Sequence, residues 1–139
     1  MLDRRQIHTV IDTLIREARL RSVSDIHITE GMPVWYRIHG CLTQARDVLK
    51  EYDIREVLLG MMNEKQRKQF EDGQDVDFAW QTTDGCRQRV NIFCEQKKIA
   101  ATIRLLNQHI PTLEELKIPT TLYQLSEEPR GIILVTGPT

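Results

Sequence analysis

The stretch DVDFAWQTTDGCRQRVNIFCEQKKIAATIRLL, residues 75–106, decides the fold. Val76, Phe78 and Trp80 alternate with Asp75, Asp77 and Ala79, the period of two that a half-buried strand needs. Thr82-Thr83-Asp84-Gly85 has the composition of a hairpin turn. Residues 86–95 alternate again. Cys86, Gln88, Val90, Ile92 and Cys94 face one way, and Arg87, Arg89, Asn91, Phe93 and Glu95 face the other. Gln96-Lys97-Lys98 turns the chain, and residues 99–106 return with Ile99, Ala101, Ile103 and Leu105 on one face. Strands of this length joined by short turns predict an antiparallel meander.

Toward the N-terminus, helical and strand periods share the chain. Ile7, Val10, Ile11, Leu14, Ile15 and Ala18 recur at three- and four-residue spacing, so residues 3–20 read as an amphipathic helix with Asp3 as a candidate cap. Residues 25–29 alternate, with Ile26 and Ile28 opposite Asp25, His27 and Thr29. Gly31 and Pro33 mark a turn. Residues 34–39 form a second strand, and His39-Gly40 is a tight connection into a third over residues 41–44. Asp53 caps a helix over 53–62, and Asn63 caps another that runs to Glu71 and stops at Gly73. Strands with helices on one face place the chain in the α+β class.

Beyond residue 106 the pattern changes. Pro111 breaks the chain, Thr112-Leu113-Glu114-Glu115 has a capping-box pattern for a short helix before Pro119, and residues 120–126 suit a further helical turn. Ile132, Ile133, Leu134 and Val135 are apolar without alternation, as in a strand buried on both faces of a parallel sheet. Gly137-Pro138-Thr139 follows directly, in the place where a phosphate-binding loop would open after such a strand.

Composition narrows the function classes. The 139 residues carry 19 Lys+Arg against 20 Asp+Glu, a formal net charge of −1, which argues against a nucleic-acid or polybasic membrane binder. Hydrophobic residues at 40% give enough material for one core without staples. Cys41, Cys86 and Cys94 are an odd, scattered set that suggests neither a disulfide framework nor a metal site and fits a reducing cytoplasm. Asp25 and His27 share a strand face, but no nucleophile accompanies them, and a structural hydrogen bond at a sheet edge or domain contact is the expected role. Trp35, Trp80 and Phe93 read as core or interface residues, and Cys86 and Cys94 as small apolar strand residues.

An ordered set of segments carries a family resemblance. Ser24-Asp25-Ile26-His27-Ile28, Gly31-Met32-Pro33, Arg37-Ile38-His39-Gly40 and Leu42 come first. Asn63 to Arg67 with Phe70-Glu71, then Asp75, Asp77 and Phe78, Arg87 to Phe93, and Ile103-Arg104 follow. Thr112 to Leu116 and Arg130 to Thr139 complete it. Over nearly its whole length the chain resembles the N-terminal part of PilT-type type IV pilus retraction ATPases, in the type II/IV secretion ATPase superfamily. The resemblance implies a PAS-like N-terminal domain at 1–107, an interdomain connector at 108–130, and the start of a RecA-like ATPase domain at 131–139, cut off at the start of its Walker A loop. The opening helix at residue 3, with no room for further N-terminal domains, and the Gly31-Met32-Pro33 turn lean toward the retraction branch. His39 in place of a usual Asp, with Ile38 and Leu105-Leu106, leans toward the assembly type.

The same resemblance implies a cytoplasmic homohexamer, peripheral at the inner face of the cytoplasmic membrane. It would work with pilus inner-membrane platform proteins and without nucleic acid, using ATP and Mg in the full-length parent. By position, Arg89 and Arg104 match arginines that reach the nucleotide phosphates, with Arg87 a weaker candidate, and Gly137, Pro138 and Thr139 match the entry to the phosphate loop. No catalytic or metal-binding residue is assigned within the 139 residues. The Lys and the Ser/Thr of the phosphate loop and the Walker B acid are not among them, so the fragment is expected neither to hydrolyse ATP nor to bind it tightly. One alternative is a pilus-assembly or type II secretion ATPase of the PilB or GspE type. Another, of a different class, is a stand-alone PAS-like ligand sensor.

Overall fold

The computed structural model describes residues 2–106 and 110–137. It divides into two compact units, Met1–Leu106 and Asn107–Thr139.

The first unit opens with α1 (Arg4–Leu20), followed by β1 (Val23–Thr29), β2 (Val34–Ile38) and β3 (Cys41–Ala45). Then come α2 (Ile54–Met61) and α3 (Glu64–Glu71), and β4 (Val76–Gln81), β5 (Arg87–Glu95) and β6 (Lys98–Leu105) close it. The helix starts are set by their caps. Asp3 accepts from the Gln6 amide while the Gln6 side chain accepts from the Asp3 amide, and Asn63 and Gln66 make the same reciprocal pair at α3. Asp53 accepts from the Glu56 amide at the head of α2. Gly73, at φ +80°, follows α3 with the left-handed backbone that suits a glycine after a helix end.

All six strands pair antiparallel in one sheet, in the order β3-β2-β1-β6-β5-β4. This differs from one continuous meander. Strands β1–β3 and β4–β6 are two meanders joined where the first strand pairs with the last, Ile26 opposite Ile103. Local alternation specifies each hairpin but leaves open which outer strand of one meander meets the other. β1 therefore lies at the centre of the sheet rather than at an edge. It also starts at Val23, two residues before the alternation does, because a bulge between Val23 and Asp25 interrupts the register.

One face of the sheet is apolar and covered. Ile26 and Ile28 of β1, Val90 and Ile92 of β5, and Ile99, Ala101 and Ile103 of β6 are buried with Ile11, Leu14 and Ile15 of α1 and Val57 and Leu58 of α2. Each Val, Leu or Ile among them contributes about 1.5–3 kcal/mol by leaving water. Gln88 points into the same side, with no exposure at all, and Trp80 is buried there too. Cys94, expected to pack as an apolar strand residue, is instead exposed near the end of β5, and Cys86 precedes the strand.

The second unit is sparser. Thr112 and Glu115 make the expected capping box, Thr112 N to Glu115 Oε2 at 2.8 Å and Glu115 N to Thr112 Oγ1 at 3.2 Å, yet no helix grows from it. One turn closes at once, because Ile118 N–H bonds to Leu113 O, Lys117 N–H bonds to Glu114 O, and Lys117 takes φ +55°. Pro119 lies just beyond. α4 (Thr121–Ser126) is the further turn that the sequence suggests. Residues 131–137 form no strand, and Ile132 and Val135 are 87% and 95% exposed; the apolar run has the composition of a strand but no sheet to join. A strand exists only where a neighbour meets its backbone N–H and C=O groups.

Candidate functional site

The face of the sheet opposite the helices is polar. Strand register places its residues in rows, since directly opposed residues share a face. One row runs Arg37 (β2), Asp25 (β1), Arg104 (β6), Arg89 (β5). The next runs Trp35, His27, Thr102, Asn91, Asp77. The structure therefore brings Arg89 and Arg104 together as cross-strand neighbours. Arg87 lies two residues along β5, exposed on the same side.

Arg89 and Arg104 are each held by a carboxylate. Arg89 grips Asp77 with two parallel bonds, Nε to Oδ1 at 3.0 Å and Nη2 to Oδ2 at 2.8 Å. Arg104 donates from Nε to Asp25 Oδ1 at 2.9 Å. The other oxygen of Asp25 accepts from Ser24 Oγ at 2.9 Å and lies 3.9 Å from Arg37 Nε. Arg37 in turn donates from Nη1 to Gly40 O. The guanidinium groups of Arg89 and Arg104 are 64% and 62% exposed as side chains, while Asp25 is 6% exposed as a residue.

Electrostatics follow from these contacts. Burial pushes the Asp25 carboxyl up, but the hydrogen bonds from Arg104 and Ser24 and the charge of Arg104 outweigh it, and its pKa lies below the ordinary value. The Arg89 hydrogen bonds lower Asp77 and raise Arg89. Burial lowers His27, and the nearby Arg37 charge lowers it further, so the imidazole is neutral at pH 7. No group of three or more His, Cys, Asp or Glu side chains converges as a metal site among the described residues.

This donor set fits an anion with several oxygens. Around the row, four arginines stand with two aspartates, while Glu95 and Lys98 oppose one another at the far end of the same face. Planar guanidinium forks match phosphate oxygens, whereas both carboxylates are occupied by arginines and leave no hard oxygen cluster for Mg. Of the remaining sequence candidates, Gly137 is exposed in the second unit, and Pro138 and Thr139 lie outside the described residues. The periodicity put Arg89 and Arg104 on exposed faces of their own strands. It did not reveal Asp25, Asp77 and Arg37 as their partners, because those contacts depend on the pairing registers of β1 with β6, β4 with β5 and β1 with β2.

The fold matches the amino-terminal part of known pilus ATPases. It superposes on the crystal structure of the pilus retraction motor PilT with bound ADP at a TM-score of 0.77 and 34% identity, covering 92% of this chain and 38% of that one. It is 32% identical to the type IV pilus retraction ATPase PilT of Pseudomonas aeruginosa over 130 residues, 93% of this chain and 38% of the relative. The chain is homologous to the amino-terminal part of the type IV pilus ATPases PilT and PilU. A twitching motility protein of Neisseria gonorrhoeae is 37% identical over 91% of the chain. The Legionella pneumophila ATPase DotB shares the fold at a TM-score of 0.61 and 20% identity. No protein-family profile matches. The chain spans 34–38% of the length of these curated relatives. No helix among its described residues is long and apolar enough to cross a membrane.

Proposed function

We propose that this chain is the N-terminal regulatory and subunit-contact domain of a hexameric, cytoplasmic ATPase that powers type IV pilus retraction. Its open sheet face presents Arg89 and Arg104 to the phosphates of ATP. The observation that carries the reading is the adjacency of these two arginines, cross-strand partners on the uncovered face of a domain homologous to that of pilus motors. ATP with Mg supplies the phosphoryl chemistry in the parent. The residues of this chain contribute fixed positive charge where negative charge develops, which is how an arginine from a closing domain couples motion to nucleotide.

Nothing in the 139 residues supplies the loop Lys or the Walker B acid, so the chain alone neither turns over ATP nor holds it tightly. Self-association into a ring and docking on inner-membrane platform proteins belong to the parent in this reading. The space between sheet and helices is filled by Ile11, Ile15, Ile26, Ile92 and Ile103, which works against a stand-alone ligand sensor. The reading is tested by sequencing the parent gene beyond Thr139. A continuation completing a Gly-rich loop with Lys-Ser or Lys-Thr is expected, and any other continuation overturns it.

A further inference from the structure

The two arginines of the row are held in different ways. Asp77 is an exposed carboxylate, 45% open as a side chain, and it occupies both Nε and Nη2 of Arg89. Asp25 is buried at the centre of the sheet, is tied down by Ser24, and touches Arg104 only at Nε. Nη1 and Nη2 of Arg104 have no partner among the described residues. That outer edge can meet two oxygens at once. Both arginines keep their Nη1–Nη2 edge and can take a phosphate there without releasing a carboxylate. The difference lies in the anchor, which is buried and tied down for Arg104 and exposed for Arg89.

A buried carboxylate paired with arginines is a poor device for stability, since its desolvation cancels much of the attraction. What it supplies is geometry. From this we infer that Asp25 is a positioning residue for anion recognition, fixing the Arg104 guanidinium by Nε with its Nη edge turned to the phosphate. The inference rests on the reading that Arg104 meets phosphate. It makes a prediction that opposes simple charge counting. Removing a negative charge beside a phosphate site should tighten anion binding if charge alone mattered. Removing Asp25 should weaken it, because the guanidinium loses its anchor and is pushed by Arg37, 3.9 Å from the same carboxylate.

The test titrates the 139-residue chain with sodium tripolyphosphate and follows the arginine side-chain Nε–H signals by NMR. In the wild type the Arg104 and Arg89 signals are expected to move. In Asp25→Asn the dissociation constant should rise about tenfold, the scale of one lost hydrogen bond to a charged group. The Arg104 Nε–H signal should broaden while the backbone spectrum holds. Asp77→Asn should bind more tightly, and Asp25→Asn should cost nothing further once Arg104 is Gln. Arg104→Lys, with Asp25 intact, should bind as weakly as Arg104→Gln, because an ammonium has no planar edge to present. This variant decides the matter if Asp25→Asn does not fold. Arg104→Lys binding like wild type, or Asp25→Asn binding as tightly as wild type, overturns the positioning role alone. Unmoved arginine signals in the wild type overturn the phosphate reading and this inference with it.

Discussion

The Asp84 carboxylate accepts from Thr82 Oγ1 at 2.6 Å and from the Cys86 amide at 3.1 Å, and these hydrogen bonds lower its pKa to about 2. A carboxyl depressed on folding stabilises the fold above its unfolded pKa of 3.8 and loses that effect as pH falls toward 2. Asp25 and Asp77 act in the same direction. His27, lowered by burial, adds an earlier step: its neutral form fits the fold, so stability declines as pH drops below 6.5. Urea midpoints measured from pH 7 to 5 should fall in the wild type and flatten in His27→Gln. Gln88 has no exposure, and its Oε1 accepts from Arg19 Nη2 at 3.0 Å and from the Leu106 amide at 3.2 Å. Gln88→Leu strips both donors of a partner and should cost about 1–3 kcal/mol in urea unfolding, with faster exchange of the Leu106 amide. At this scale the sequence betrays which face a residue takes but not its partner. Gln88 stood out as a polar residue in an apolar row, while its donors lie 69 and 18 positions away.

Elements were legible where the period was clean and the cap chemistry local. The starts of α1, α2 and α3 follow from Asp3, Asp53 and Asn63, and His39-Gly40 forms the two-residue turn joining β2 to β3, with φ +48° and +83°. The β5–β6 turn has the same left-handed pair in worse residues, Gln96 at φ +49° and Lys97 at φ +67°. Lys97→Gly should therefore raise stability by about 0.5–1 kcal/mol, read as a higher thermal midpoint. Helix α2 approaches α1 so closely at Gly60 that a Cβ there would lie 1.9 Å from Ile7 Cδ1. Gly60→Ala should destabilise by about 1 kcal/mol even though it favours the helix, and Ile7→Val, which removes that Cδ1, should make the double variant less costly than the sum. The helix expected over 112–118 failed for a reason no cap can cure. Lys117 takes a left-handed conformation after a single turn, two residues before Pro119.

For the whole molecule, the decisive pairing joins residues 25–29 to 100–104, a separation that no local pattern encodes. Among the described residues, the buried core lies wholly in the first unit, so residues 2–106 alone should keep the thermal midpoint of the full chain. Ile132 to Val135 lie exposed and unpaired in the second unit, and their amides should exchange quickly. The resemblance to pilus ATPases is legible in the sequence, because it rests on ordered segments rather than on one motif. What it could not supply was the row of charges across the sheet, which exists only once two meanders meet. The central claim is that this row serves nucleotide phosphates in a motor. The most direct measurement is ATP turnover by the parent protein carrying the completed phosphate loop, wild type against Arg104→Gln. A fall of about a hundredfold in kcat/KM with the ring intact is predicted, and an unchanged kcat/KM would contradict the account.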